Sequence, residues 1–296
     1  MPAIKIAFLT NVKKQQYLLL SGSLILFIGL FFFGNTIPPK KTPAQPASTV
    51  HAGAGDVMPA MTTADVLAQA KTKLSPSQAS RITQLENSVV RGDVKDQQIK
   101  VYDQLASFWD DTLHQHILGA YYTGEAAKLE NSEKKLTFAA RLMLDGLMEE
   151  QDPARQNWLA TNAKSLFEKS LELNPANDSA KIGIGACYLF GNIAPNPMQG
   201  IAAIREVVEK NPDNMYGQMM LGIGGIRSGQ YDRAIERFTT VVSKQPDNME
   251  AILYLAEANE RKGDKASAVK WYKIAAQKIA VPEAKQAIEE RIKTLQ

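Results

Sequence analysis

From Thr62 to the C-terminus, apolar residues recur three and four positions apart, and every segment there reads as helix. A short run covers Asp65 to Leu74. Ser75-Pro76 then supplies an N-cap with proline in the first turn, opening a helix to about Val90. Arg91-Gly92-Asp93 ends that helix and restarts the chain, and Ile99, Leu105, Phe108 and Trp109 mark the next one. Leu113 to Leu129, Glu133 to Met148 and Pro153 to Leu173 follow as further helices. The Gly92-Asp93 turn and Leu118 to Tyr122 have the character of degenerate repeats, without a register that can be fixed.

Beyond that point the pattern becomes periodic. Pro175, Pro212 and Pro246 stand 37 and 34 residues apart and close the similar segments LELNP, VEKNP and VSKQP. A period near 34 with helical composition predicts stacked helical hairpins, none of which can bury its apolar face alone. One unit reads Lys181-x2-Ile184-Gly185-x2-Tyr188, Gly200-x3-Ile204, Pro212, with a three-residue insertion in Gly191 to Pro197. The next reads Gln218-x2-Leu221-Gly222-x2-Gly225, Ala234-x3-Phe238, Pro246; the third reads Ile252-x2-Leu255-Ala256-x2-Asn259, Ala268-x3-Tyr272. Upstream, Ala163-x3-Phe167 and Pro175 form half a unit. Small residues sit where the two helices of a hairpin would cross, and bulky ones where units would stack.

This pattern resembles the tetratricopeptide repeat. The resemblance implies an all-α, TPR-like helical-hairpin solenoid that binds proteins or peptides and has no chemistry of its own. It also implies that the first helix of each unit lines a concave groove. The expected groove residues are Ile182, Ala186, Leu189 and Phe190 in the first unit, then Tyr216, Met219, Ile223, Ile226 and Arg227, then Leu253, Glu257, Glu260 and Arg261. The partner-binding set is Tyr216, Met219, Ile223, Ile226, Arg227, Leu253, Glu257 and Arg261. The subfamily that clamps chaperone carboxylates needs Lys and Asn on this wall, where Ile182 and Ala186 stand instead. Whether this face is open or covered by the chain's own upstream helices is left open by the sequence.

The N-terminus differs in kind. Tyr17 to Phe33 reads YLLLSGSLILFIGLFFF, and continued to Ile37 it gives 21 residues, about 31 Å of helix and enough to cross a bilayer core. Pro38, Pro39, Lys40 and Lys41 follow in place of a small-x-small cleavage site. The expectation is therefore a retained single-pass anchor, with a cleaved signal peptide and a secreted soluble binding module as the alternative. Lys5, Lys13 and Lys14 against Lys40 and Lys41 favour a cytoplasmic N-terminus and an extracytoplasmic, periplasmic helical domain. The organisation expected is a tail at 1–16, a membrane helix at 17–37 and a flexible linker at 38–61. A helical region at 62–151, repeats at 152–281 and a polar capping helix at 282–296 complete it. The resemblance extends to anchored repeat proteins of the bacterial envelope that assist assembly or maturation, which implies a membrane-anchored scaffold or adaptor.

Composition narrows the chemistry. With 34 basic and 31 acidic residues and 7% aromatics, nothing marks a nucleic-acid surface. The lone Cys187 excludes an internal disulfide and reads as core filler. Gly183-x-Gly185 and Gly222-x-Gly224-Gly225 lack the strand and Lys-Ser/Thr of a phosphate loop. His114 and His116, two apart on a helix, fall on different faces, and Asp110-Asp111 reads as helix N-terminal charge. No catalytic residue, cofactor or metal ligand is assigned, the partners expected are proteins or peptides, and homo-oligomerisation is compatible with the sequence.

Overall fold

The computed structural model describes residues 61–91, 94–193 and 197–296. The described helices belong to one compact unit within residues 57–296. They run α1 (Thr63–Lys71), α2 (Pro76–Arg91), α3 (Lys95–Ser107), α4 (His116–Glu130), α5 (Glu133–Glu149), α6 (Pro153–Leu173), α7 (Asp178–Phe190), α8 (Met198–Lys210), α9 (Met215–Arg227), α10 (Tyr231–Lys244), α11 (Met249–Lys262), α12 (Lys265–Lys278) and α13 (Pro282–Leu295). Sequential pairs pack as antiparallel hairpins: α3 with α4, α5 with α6, α7 with α8, α9 with α10, and α11 with α12. The first members also touch in series, α5 to α7 to α9 to α11, which makes the stack a solenoid with these four as its inner row.

The periodic prolines have a local cause. Each is the second residue of a turn closed by a hydrogen bond from the amide of Asn177, Asn214 or Asn248 to the carbonyl of Asn174, Asn211 or Gln245, at 3.1, 3.0 and 3.0 Å. Proline presets φ there. The same three asparagines then cap the next inner helix, accepting from the amides of Ala180, Gly217 and Ala251 at 3.0 Å. Within the last two hairpins, Gly229 (φ 72°) and Gly263 (φ 91°) make the turn in the left-handed region. Gly185 and Gly200 mark a close crossing of α7 and α8: a Cβ on Gly200 would lie 2.2 Å from the Gly185 carbonyl oxygen.

Stacking between hairpins rests on aromatic rings seated on small residues. Phe167 lies over Gly183 of the next hairpin, and Phe238, seated on Gly222 within its own hairpin, stacks on Tyr254 of the next with ring centroids 5.4 Å apart. Cys187 is buried, and burial pushes its thiol up to about 12. At the C-terminal end, Tyr272 is only half-buried and donates to Glu260 at 3.0 Å, where Arg291 of α13 also pairs.

Two expectations are corrected. The helix expected from Leu113 begins at His116; before it, α3 runs on as a π-helical turn over Phe108–Thr112 and breaks at His114 (φ 52°). Asp110 and Asp111 lie in that turn, and Asp110 pairs with His116. The second correction concerns the membrane. The span expected at 17–37 and the linker through residue 60 lie outside the described residues. Among the described residues no helix is long and apolar enough to cross a membrane. The membrane-anchored type, the membrane as partner, the single-pass localisation with its orientation, and the anchored-scaffold function thus give way to an all-α helical-hairpin solenoid with no anchor assigned.

Candidate functional site

The inner row of helices positions the site. Counting from the equivalent caps Ser132, Asn177, Asn214 and Asn248, one inward position holds Lys134, Ser179, Tyr216 and Glu250. Two turns on come Arg141, Ala186, Ile223 and Glu257, and one turn further come Asp145, Phe190, Arg227 and Arg261. The two middle helices therefore carry mostly small or apolar groups where the outer two carry charge.

That difference shapes the face. Because α7 offers only Ser179 and Ala186, the side chains of α5 and α9 reach across it: the Arg141 guanidinium lies 4.7 Å from the centre of the Tyr216 ring. Side chains two hairpins apart can meet only on the inner side of the curve. Ile182 and Ala186 are fully buried, Phe190 nearly so, and Arg227 covers the Phe190 ring at 4.5 Å. Ile223, Met219 and Ile226 are 4, 6 and 7% exposed and belong to the core. Tyr216, Leu253 and Glu257 are half-buried, and Arg227 and Arg261 are exposed. Glu257 pairs with Arg261 at 2.7 Å.

The electrostatics follow this crowding. Burial raises the Tyr216 hydroxyl well above its ordinary value, and desolvation lowers Arg227. Asp145 is raised by burial, opposed by Arg141 and reinforced by Glu149; Glu250 is raised by burial and then by the charge of Asp145. The first and fourth inner helices thus sense each other across the face. The spacing of the repeat pattern alone did not bring Arg141, Asp145 and Glu250 into the site. Counting from the equivalent helix caps is the signal that finds them.

A second concavity lies at the N-terminal end. A cavity of about 820 Å³ is bounded by α1 and the Thr72–Leu74 turn, the π-turn with His114 and His116, and Leu142, Asp145, Gly146 and Glu149 of α5. Trp109 is fully buried on its wall, and its indole N–H has no hydrogen-bond partner among the described residues. His114 and His116 both border the cavity. Among the described residues no group of three or more His, Cys, Asp or Glu side chains is placed to hold a metal ion.

Comparison with known proteins agrees with the repeat pattern. A family profile, the tetratricopeptide repeat, matches residues 226–284, from the end of α9 into α13. No curated protein matches the chain. Among solved structures, the crystal structure of MamA protein is 20% identical, over 61% of this chain and 91% of that one, with a TM-score of 0.39. A MamA fragment from Desulfovibrio magneticus RS-1 is 20% identical over 63 and 96%, with a TM-score of 0.40. YrrB, described as a TPR protein with an unusual peptide-binding site, is 15% identical over 70 and 97%, with a TM-score of 0.41. At these values the likenesses carry no conclusion about partner or activity. The repeat matched at residues 226–284 is of a kind typical of non-catalytic scaffolds.

Proposed function

We propose that the chain is a protein-binding module that engages a peptide segment along the inner helices of its solenoid. The observation that carries this reading is the graded inner face. Met219, Ile223 and Ile226 form a buried floor with Tyr216 half-buried at its edge, while Arg227, Leu253, Glu257 and Arg261 remain accessible beside it. A preorganised floor with a polar, accessible rim is the anatomy of a recognition surface. Arg141 and Asp145 extend the rim onto α5, and Glu250 extends it along α11.

Site-specific photocrosslinking in cells tests the proposal. A photoreactive residue at Leu253 or Arg261 is expected to capture discrete partners, whereas one at Lys244, exposed at the end of α10, captures none. The double change Glu257→Ala and Arg261→Ala is expected to weaken capture at Leu253 at least several-fold without lowering the melting temperature. Equal capture at Lys244 and Leu253 would remove the inner face from consideration.

A further inference from the structure

Helix α1 stands apart from the hairpins it touches. Its first turn is closed locally by a capping box, in which Thr62 accepts from the Asp65 amide at 3.2 Å and Asp65 accepts from the Thr62 amide at 2.9 Å. The first turn is thus closed by the helix's own side chains. It buries one side chain, Val66, with Met61, Leu67, Ala70 and Leu74 packed partly against the core. Polar links tie it down: the Trp158 indole N–H donates to the Thr63 hydroxyl at 3.0 Å, the Tyr121 hydroxyl also bonds Thr63, and Lys71 pairs with Glu86 at 2.6 Å. Its seat is aromatic. Tyr121 lies 6.1 Å from Trp158 and 5.1 Å from Tyr122, ring centre to centre.

On its other side α1 borders the cavity of about 820 Å³, which α5 also lines. A short self-capped helix with one fully buried side chain, a few partly buried ones and polar links only at Thr63 and Lys71, bordering a gap, belongs to the low-stability end of a fold. We infer that α1 is a lid: it opens as a unit about the Thr72–Ser75 turn while α2 to α6 stay folded. Opening uncovers the Tyr121–Trp158 seat and removes one wall of the cavity.

Hydrogen exchange on the full-length protein, read by mass spectrometry, tests this. Amides of α1 are expected to be protected, yet to exchange on the order of 100-fold faster than those of α4 and α6. Thr63→Val keeps the shape but removes the acceptor for Trp158, and should speed α1 exchange about five- to tenfold, with α4 and α6 unchanged. Lys71→Met should give a smaller acceleration, again in α1 alone. Equal protection of α1 and α4, or acceleration spread across all helices by Thr63→Val, would show α1 to be an integral part of the core and overturn the inference. So would α1 amides with no protection at all, or an α1 rate unmoved by Thr63→Val.

Discussion

Helices α9 and α11 are successive copies of one inner helix, started by equivalent asparagine caps and closed onto similar outer helices, yet one is sealed and the other open. In α9 the inward strip is Tyr216, Met219 and Ile223, crowded by Arg141 from two hairpins away. In α11 the same strip is Glu250, Leu253 and Glu257, half-buried or exposed. The backbone positions correspond, so the contrast comes from side-chain size next door. Small residues on α7 let its neighbours close over it, and the solenoid fills its own middle. A repeat protein can thus use some copies for cohesion and others for contact, with no change of fold.

The strongest way to break this comparison is to attack the stacking that both copies share. Phe238 is fully buried between α9 and α11, so Phe238→Ala should cost about 3–5 kcal/mol in chemical denaturation. Leu221→Ala should cost clearly less because Leu221 is only half-buried. Lys244→Ala removes an exposed pair with Asp213 at 3.0 Å and should change stability by under about 0.5 kcal/mol. Equal losses at Phe238 and Lys244 would mean the hairpins do not stack in this register.

Exchanging the two inner strips is the next test. Ile223→Glu places a carboxylate in the sealed core without a partner and should destabilise the protein by about 3 kcal/mol. Glu257→Ile, at the equivalent position of α11, should cost less than about 1 kcal/mol, because it removes only a partly exposed pair. Similar costs at both positions would dissolve the distinction between sealed and open copies. Smaller in effect is Gly200→Ala. The added methyl meets the Gly185 backbone, which cannot rotate aside, so a loss of about 1–3 kcal/mol is expected from thermal unfolding.

What could be read from the sequence follows the range over which each feature is determined. The hairpins around Pro212 and Pro246 were legible because their turns, caps and left-handed glycines are encoded within a few residues. The π-turn at Phe108–Thr112 was not, since FWDDT contains no glycine or proline to punctuate it. The sealing of the inner face was half legible: Ala186 and Ser179 are visibly small. That Arg141 would cross to Tyr216 depends on curvature accumulated over two hairpins, which no local spacing reports. The same limit hid the nearness of Asp145 and Glu250, which come from the first and fourth inner helices.

That nearness supplies the subtlest test of the open end. Burial, then the charge of Asp145, holds the Glu250 carboxyl above its ordinary 4.5, and burial with Glu149 holds Asp145 above 3.8. A carboxyl raised in the folded state binds its proton more tightly there than in the unfolded chain. Stability therefore falls as pH rises from the unfolded value through the folded one, and the penalty is fully present at neutral pH. Asp145→Asn should remove its own share and ease that of Glu250, raising the melting temperature slightly at pH 7, with the gain shrinking as pH falls towards about 4 and gone below it. The gain should be small because both carboxylates keep contact with water. Glu250→Gln should behave alike, and the double change should gain less than the sum of the two, since each relieves the other. If the gains at pH 7 are instead simply additive, the two inner helices do not sense each other, and the inner face is wider than the Arg141–Tyr216 contact makes it. A stabilised Asp145→Asn variant that also captures fewer partners at Leu253 would place the retained carboxylate in recognition, where its cost in stability has a use.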